Sequence, residues 1–242
     1  MAVKRTSASN VFFIVLLVVS IVVGGLLLYV QWASPNMSWS ERVSHWGAAL
    51  RSYNSVGALL PSSTFLGDVI VEKVDWTRRN AVIVEVGAGT GVFTRLIVQK
   101  MAPDACLVVV ELDKQLAENL RAEFAADRRV CIVHGSVENL AQHLQACTGR
   151  VEADFVVSAL PWTAMDDDTQ KKLLNGILKG LQRRRMPKPR VFFSTFMYTS
   201  STWKPSAHKF LQLLEHNFSG GVEKSKTVWR NVPPAFVYHC AL

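Results

Sequence analysis

Residues 84–94 read VEVGAGTGVFT, and this stretch decides the fold class of the chain. An apolar, β-branched run at residues 81–86 leads into Gly87, Gly89 and Gly91, and a helical pattern follows. Glycines at alternate positions let the backbone turn tightly and approach a ligand, while the helix start offers free N–H groups to an anionic group. The order strand, glycine-rich loop, helix predicts a ligand site at one edge of a parallel sheet.

The spacing within this loop distinguishes it from the common nucleotide motifs. It reads E-x-G-x-G-x-G, with Glu85 two residues before the first glycine, and it lacks the G-K-[ST] ending of a P-loop. The next apolar run ends on Glu111, about 20 residues further on, where a carboxylate can accept hydrogen bonds from ribose hydroxyls. Together these features resemble class I S-adenosylmethionine-dependent methyltransferases. The resemblance implies that the three glycines line the methionine part of the donor and that Glu111 holds its ribose.

The segments that flank the loop predict a Rossmann-like α/β domain with a mostly parallel sheet of seven strands. Five short apolar runs alternate with helical stretches, an arrangement that places helices on both faces of a parallel sheet. Two further strand-like runs surround Pro233-Pro234 and predict a closing hairpin at one sheet edge. The predicted strands are residues 81–86, 106–111, 130–134, 153–158, 191–196, 222–229 and 235–240.

Two more residues complete the predicted donor site. Methyltransferases often carry G-D-A after the third strand, where the Asp meets the adenine amine, but this chain has Gly135-Ser136-Val137-Glu138. Ser136 is the candidate for the missing contact, with Glu138 as the alternative. Ser158, at the end of the fourth predicted strand, is the other candidate donor contact.

The loop after the fourth strand should face the methyl acceptor, because ligands bind beyond the carboxyl ends of parallel strands. It reads Ser158-Ala159-Leu160-Pro161-Trp162. In adenine-N6 methyltransferases this loop carries an Asn that holds the amine of a flipped base. Ala159 stands at that position and cannot accept a hydrogen bond through its side chain, although Trp162 could still stack on a base. A nucleic-acid acceptor is therefore disfavoured.

Three stretches resemble the bacterial phospholipid N-methyltransferases, and the likeness runs from about residue 40 to the C-terminus. They are residues 57–63 (GALLPSS), residues 158–162 (SALPW) and residues 229–238 (WRNVPPAFVY). The resemblance implies methylation of the amine of phosphatidylethanolamine or a related aminolipid, so that a membrane lipid is both substrate and docking surface. It also implies peripheral membrane binding through an N-terminal amphipathic helix.

Aromatic side chains near the strand ends are candidates for the acceptor site, because aromatic faces stabilise the methylated ammonium product. The resemblance favours Tyr198, with Phe196 as its rival, and Trp162 is the second predicted catalytic residue. Trp229 is a further candidate. For each of these rings, ordinary core packing is the alternative.

The predicted substrate-binding residues are Ser62, in the GALLPSS stretch, and the pair Arg230 and Asn231. Arg230 and Asn231 can donate charge-assisted or neutral hydrogen bonds to a lipid phosphate. A solvated arginine and a turn asparagine are the alternatives.

The N-terminus predicts a membrane anchor. Residues 11–30 form about 20 consecutive uncharged, mostly apolar residues, the length that crosses a bilayer. A cleaved signal peptide is the alternative, and its apolar core is usually shorter. Lys4 and Arg5, in the short basic segment 1–10, would place the N-terminus in the cytoplasm and the domain outside. The methyl donor is a cytosolic metabolite, so we expect a domain that faces the cytosol or an organelle matrix.

Residues 36–55 predict an amphipathic helix ahead of the methyltransferase domain, residues 56–242. Ser38-Trp39-Ser40-Glu41 forms a capping box, and an apolar face follows with helical spacing. The face could pack on the domain or lie on the bilayer, where Trp is favoured. It comprises Trp39, Val43, Trp46, Leu50 and Tyr53.

Composition limits the remaining possibilities. The net charge of +8 suits an anionic membrane, a phosphate-bearing substrate or a nucleic acid. The six histidines form no metal-binding pattern, so we predict no metal. Cys106, Cys131, Cys147 and Cys240 show no C-x-x-C pair and predict reduced thiols in a reducing compartment. A membrane-tethered protein-lysine or RNA methyltransferase, and a non-catalytic module that binds donor or lipid, remain alternatives.

Overall fold

The computed structural model describes residues 62–181, 192–231 and 233–242. The predicted anchor at residues 11–30 and the predicted amphipathic helix at residues 36–55 lie outside these ranges. Within them, no helix is both long enough and apolar enough to cross a membrane.

A seven-stranded sheet in the order β3-β2-β1-β4-β5-β7-β6 forms the centre of the fold. The first five strands are parallel, β7 is antiparallel to β5, and β6 is antiparallel to β7 at the edge. This confirms the predicted Rossmann-like class with its closing hairpin. The strands are β1 Val82–Val86, β2 Cys106–Glu111, β3 Val130–His134, β4 Phe155–Ser158, β5 Phe192–Tyr198, β6 Val222–Lys224 and β7 Ala235–Ala241.

In the described part of the chain, six α-helices cover the two faces of the sheet. One apolar cluster joins the sheet to α1, α2 and α3, and a second joins it to α4, α5 and α6. Burial of both faces explains why β1 reads VIVEV with every residue buried. The helices are α1 Ser62–Ile70, α2 Val92–Lys100, α3 Lys114–Glu123, α4 Leu140–Thr148, α5 Asp167–Gly180 and α6 Pro205–Asn217.

Local sequence fixes where several helices begin. Asp113 caps α3 by accepting a hydrogen bond from the N–H of Leu116, and Asp166 caps α5 by accepting from the N–H of Thr169. Pro205 begins α6, where its missing N–H would have had no helical partner. Because α3 begins directly after β2, its cap lies beside the end of that strand.

The tail hairpin differs from the prediction in the length of its first strand. β6 ends at Lys224 instead of residue 229, and Val228 forms only an isolated bridge to Ala235. The side-chain Oγ of Ser225 accepts the hydrogen bond of the Val237 N–H. A side chain thereby replaces a backbone carbonyl in the ladder, which interrupts regular pairing. β5 is longer than predicted, because its pairing with β7 continues to Tyr198.

The expectation that all four cysteines are reduced is wrong for two of them. Cys131 on β3 and Cys147 on α4 are joined by a disulfide, whereas reduced thiols were predicted for all four. α4 folds back over the sheet and brings these residues, 16 positions apart, to a Cα–Cα distance of 6.0 Å. Cys106 and Cys240 are free, and burial raises the pKa of both thiols.

Candidate donor and acceptor site

Four strand ends meet at one edge of the sheet and bring the predicted loops together. The N–H of Gly87 donates to the carbonyl of Val110, and the N–H of Gly135 donates to the carbonyl of Glu111. The N–H of Ala159 donates to the carbonyl of Val86. The glycine loop, the end of β2, the Gly135 segment and the SALPW loop therefore lie side by side. We call this side of the sheet, where the parallel strands end, the catalytic edge.

The glycine loop has the backbone geometry that its sequence predicts. Gly89 and Gly91 have φ values of +57° and +82°, in the left-handed region that favours glycine. A Cβ on Gly91 would lie 2.6 Å from Leu120 Cδ2, so this glycine also permits close packing of the loop on α3. A Cβ on Gly89 would meet no atom within 4 Å, so the chain leaves open space beside this residue.

Glu111 connects the loop to the end of β2. Its Oε2 accepts a hydrogen bond from the N–H of Gly89 at 2.8 Å, and its Oε1 accepts one from the N–H of Asp113 at 2.9 Å. A carboxylate has about four acceptor positions, so one remains on each oxygen. These two positions suit the two hydroxyls of a ribose. The residues present therefore fit the nucleoside part of S-adenosylmethionine.

Glu85 lies at the base of the loop and is fully buried. Its Oε2 accepts a hydrogen bond from the Thr94 hydroxyl at 2.6 Å, while its Oε1 has no partner among the described residues. Burial raises the pKa of Glu85 to about 7, and the nearby Glu111 contributes in the same direction. A buried acceptor without a partner beside the loop is a second observation that fits a bound donor molecule.

The segment after β3 lies next to Glu111. Ser136 caps a short 3₁₀ helix, Val137–Asn139, by accepting a hydrogen bond from the N–H of Glu138. Its carbonyl oxygen is 2.9 Å from Nε2 of His143. Ser136 thus lies beside the end of β2, and its contact with the donor stays a prediction. His143 was not predicted, because its contact with this segment comes from the packing of α4.

The SALPW loop places Ser158 and Trp162 in the interior. The Ser158 hydroxyl accepts hydrogen bonds from the Trp162 indole N–H and from the Leu160 N–H. The Trp162 ring is 2% exposed, stacks on Phe210 at a centroid distance of 4.4 Å and meets Phe193 edge-on. The expectation that Trp162 faces the acceptor is corrected, because its stacking face is occupied by core packing. Through these two hydrogen bonds, Ser158 holds the loop against the end of β4.

The acceptor loop nevertheless contacts the donor loop. A Cβ on Gly87 would lie 2.9 Å from Leu160 Cδ2, so glycine permits the close approach of these two loops. Gln170 on α5 holds the acceptor loop from the other side, donating to the carbonyls of Trp162 and Ser206. The acceptor loop therefore packs between the glycine loop and α5, with Trp162 on its buried side.

Three aromatic rings extend from the donor loop to the surface. Phe93, in the first turn of α2, meets Phe196 edge-on at 6.2 Å, and Phe196 meets Tyr198 edge-on at 5.4 Å. Tyr198 is 37% exposed at the end of β5. The structure thus keeps Tyr198 and Phe196 as acceptor-side candidates. Phe93 was missed, although its position directly after the glycine loop was a usable signal.

Arg230 and Asn231, two of the three predicted substrate-binding residues, have different surroundings in the structure. Arg230 is exposed, and its guanidinium lies 4.9 Å from the centre of the Phe65 ring. Asn231 is buried, and its side-chain amide donates to the carbonyl of Pro233, which gives it a role in its own turn. Its contact with a phosphate stays a prediction. Ser62 begins α1, and its side chain lies outside the described part. The described residues contain no group of three potential metal ligands.

Comparisons with known proteins show similarity to methyltransferases. A family model described as ribosomal RNA adenine dimethylase matches residues 61–145. The ornithine lipid N-methyltransferase of Singulisphaera acidiphila is 29% identical over 194 residues, which cover 80% of this chain and 92% of that protein. This relative confirms the resemblance of the sequence to bacterial lipid N-methyltransferases.

Solved structures share the fold at low identity. A candidate rRNA methylase from Clostridium thermocellum has a TM-score of 0.54 at 13% identity, covering 75% of this chain and 96% of that one. Aeropyrum pernix fibrillarin, solved with natively bound S-adenosylmethionine, has a TM-score of 0.50 at 11% identity, covering 73% and 74%. Together with the glycine loop and Glu111, the family model and the ornithine lipid relative lead to one conclusion: the chain is a class I S-adenosylmethionine-dependent methyltransferase.

Proposed function

We propose that this enzyme transfers methyl groups to the amine of a phospholipid or other aminolipid at a membrane. The observation that carries the proposal is the similarity to a protein named ornithine lipid N-methyltransferase, which extends over 92% of that relative. An ornithine lipid and phosphatidylethanolamine share an amine in a lipid headgroup. We therefore propose this group as the methyl acceptor.

The geometry of the catalytic edge supports an amine acceptor. When bound, S-adenosylmethionine would supply an electrophilic methyl group to a neutral amine in line with the methyl–sulfur bond, which would break and release S-adenosylhomocysteine as a neutral thioether. Glu111 would hold the donor's ribose, and the loop from Gly87 to Gly91 would orient its methionine part. Tyr198 and Phe196 would hold the amine, because aromatic faces stabilise the substituted ammonium that each methyl transfer leaves. The main contribution of the chain is to hold the two reactants in line.

RNA methylation is the second candidate, since the matching family model describes an rRNA adenine dimethylase. That match ends at residue 145, before the SALPW loop, and so covers the donor half of the site only. At the acceptor half, Ala159 replaces the asparagine that would hold a flipped adenine, and the Trp162 ring is buried. These features favour the aminolipid over the base.

We also propose a membrane location with residues 11–30 as a single-pass anchor and the catalytic domain facing the cytosol or an organelle matrix. The length of the apolar run and the cytosolic supply of the donor support this proposal. The Cys131–Cys147 disulfide removes the cysteines as an argument for reducing surroundings. The orientation therefore rests on the donor, although Lys4 and Arg5 favour the opposite orientation.

A reconstituted assay tests the proposed acceptor. The full chain is placed in phosphatidylcholine vesicles that contain phosphatidylethanolamine or an ornithine lipid, and donor is added. Mass spectrometry of the lipids should show masses increased by one or more methyl substitutions, and the Glu111→Ala variant should give none. If lipids stay unchanged while a known aminolipid methyltransferase converts the same vesicles, the proposal fails. Parallel reactions with rRNA and with protein test the alternatives.

A further inference from the structure

Exposed apolar side chains are concentrated at the catalytic edge. Among the described residues, six large apolar side chains are exposed, and five of them lie where the parallel strands end. Val151, which precedes β4 at the opposite edge, is the exception. Single exposed apolar residues are ordinary on protein surfaces, but a cluster at one edge indicates an interaction site. We call the five the aromatic rim: Phe65, Leu112, Tyr198, Trp203 and Trp229.

The connectivity of the sheet places each member of the rim. Leu112 directly follows β2, Tyr198 ends β5, and Trp203 lies in the turn after β5. Because β7 runs antiparallel to β5, its start, Ala235, pairs with Tyr198 at the same edge. Val228 bridges to Ala235, and this contact brings the adjacent Trp229 to the rim.

Phe65 joins the rim through Arg230. The guanidinium of Arg230 lies 4.9 Å from the centre of the Phe65 ring, so α1 begins beside the turn that carries Trp229. The described chain starts at Ser62, three positions before Phe65. The N-terminal end of α1 therefore lies near the rim.

The two tryptophans are the most exposed members. Trp203 and Trp229 are 70% and 68% exposed. The indole N–H of Trp203 donates to the carbonyl of Ser200, so its polar atom is already bonded and mainly apolar ring surface remains for a partner. Tryptophan concentrates where hydrocarbon meets lipid headgroups, because its ring is amphipathic.

Basic side chains flank this part of the rim. Arg230 follows Trp229, Lys204 follows Trp203, and Lys226 lies in the segment between β6 and Val228. Lys226 and Arg230 are exposed. Apolar rings with lysine and arginine beside them match a surface that carries both acyl chains and negative headgroups. This combination favours a bilayer over a second protein as the occupant.

We propose that the aromatic rim docks on an anionic lipid bilayer and so brings the catalytic edge to the headgroups. The proposal extends the proposed aminolipid function, since a lipid amine must reach Tyr198 without leaving the membrane. Insertion of Trp203 and Trp229 would hold the edge against the surface while the acceptor enters beside the glycine loop. Docking through the catalytic domain is separate from any contact made by residues 36–55.

Quenching by brominated lipid tests the docking directly. The full chain and its Trp203→Ser and Trp229→Ser variants are reconstituted in vesicles of phosphatidylcholine and phosphatidylglycerol with brominated acyl chains. The difference in fluorescence between the wild type and each variant comes from the substituted tryptophan. We expect this difference emission to be quenched by brominated chains but not by ordinary ones. If this difference is equally large in brominated and ordinary vesicles, the tryptophans do not reach the acyl chains and the proposal is overturned. The same holds whether residues 36–55 or a second copy cover the rim, or the rim faces water.

Kinetics of Trp203→Ser provide a second readout, with Val151→Ser as the matched control at the opposite edge. Trp203→Ser should reduce methyl transfer to long-chain aminolipid in vesicles about tenfold, the ratio that corresponds to ~1.4 kcal/mol of lost docking. Transfer to a monomeric short-chain aminolipid should stay unchanged. If Trp203→Ser and Val151→Ser transfer methyl groups to vesicle lipid at equal rates, the proposed docking through the aromatic rim is wrong. Because quenching needs no turnover, docking and the proposed lipid activity can fail independently.

Discussion

The backbone N–H of Gly89 donates a hydrogen bond to Oε2 of Glu111 at 2.8 Å. This contact joins the glycine loop after β1 to the end of β2 across 22 positions of sequence. It fixes the carboxylate beside the space that a donor would fill, and it uses only part of the carboxylate's capacity to accept hydrogen bonds. The same residue that holds the loop can therefore hold a ribose.

The space beside Gly89 leads to a prediction with a close control. Gly89→Ala should lower the affinity for S-adenosylmethionine at least about tenfold, because the added methyl group would occupy the donor's space. Gly149→Ala provides the control, since Gly149 also has positive φ and a Cβ added there would meet no atom within 4 Å. Both variants should lose about 1 kcal/mol of unfolding free energy from backbone strain. Calorimetric titration and denaturant unfolding measure the two effects.

Equal donor affinity in these two variants would contradict the placement of the donor. It would mean that the open space beside Gly89 is ordinary surface, as it is beside Gly149.

Glu85 should make the stability of the protein depend on pH. Its pKa is raised from the ordinary 4.5 to about 7 by burial, so between these values the folded chain holds a proton that the unfolded chain has lost. The unfolding free energy contributed by this group therefore falls as pH rises through that window. Glu85→Gln should be more stable than the wild type at about pH 8 and equal to it at about pH 4.

Denaturant unfolding at several pH values tests this expectation, with Glu118→Gln on the exposed face of α3 as the control. A Glu85→Gln variant that is less stable than wild type at alkaline pH would show that the ionised carboxylate is favoured in the fold. That result would contradict the effect of burial on its pKa.

Trp162 and Tyr198 should respond differently to substitution. Trp162→Phe keeps an aromatic ring but loses the hydrogen bond to Ser158, so the unfolding free energy should fall by about 1–3 kcal/mol while kcat/KM changes little. Tyr198→Ala should lower kcat/KM for the amine acceptor without a comparable loss of stability, because Tyr198 is exposed. Tyr198→Phe should retain most activity, since it keeps the aromatic face.

Steady-state kinetics and thermal unfolding of the three variants separate packing from acceptor binding. If Trp162→Phe loses acceptor affinity while its stability is unchanged, Trp162 contributes to acceptor binding after all.

The Cys131–Cys147 disulfide should stabilise the fold. It closes a loop of 16 residues, for which chain-entropy arguments give about 3 kcal/mol. The unfolding free energy of Cys131→Ser should be lower by that amount. A reductant should lower the melting temperature of the wild type and leave that of the variant unchanged. Alkylation under denaturing conditions should modify two cysteines of the oxidised protein. Four modified cysteines would show that the bond is absent.

Local patterns in the sequence predict much of this structure, and contacts between distant segments explain the rest. The ends of β2 and β3 follow from apolar runs bounded by polar residues, and the glycine loop follows from its spacing. The burial of Trp162 could not be predicted, because the ring is covered by Phe210 from a helix 48 positions later. The Cys131–Cys147 pair likewise becomes adjacent only when α4 packs on the sheet.

The shortened β6 and the turn role of Asn231 have the same origin. Apolar spacing cannot show that Ser225 Oγ takes the place of a ladder carbonyl, or that the Asn231 amide bonds to Pro233. Conversely, Tyr198 keeps its predicted place because a residue that ends a parallel strand lies at the catalytic edge whatever the loops do.

The most direct test of the account is a labelling experiment on membranes with and without this protein. Radiolabelled S-adenosylmethionine is supplied, and lipid, protein and RNA are then separated. The account predicts label in the lipid fraction, on an amine headgroup, in membranes that contain the wild type and not in those that contain Glu111→Ala. Label confined to RNA or protein, or an undiminished lipid signal in Glu111→Ala, would contradict it.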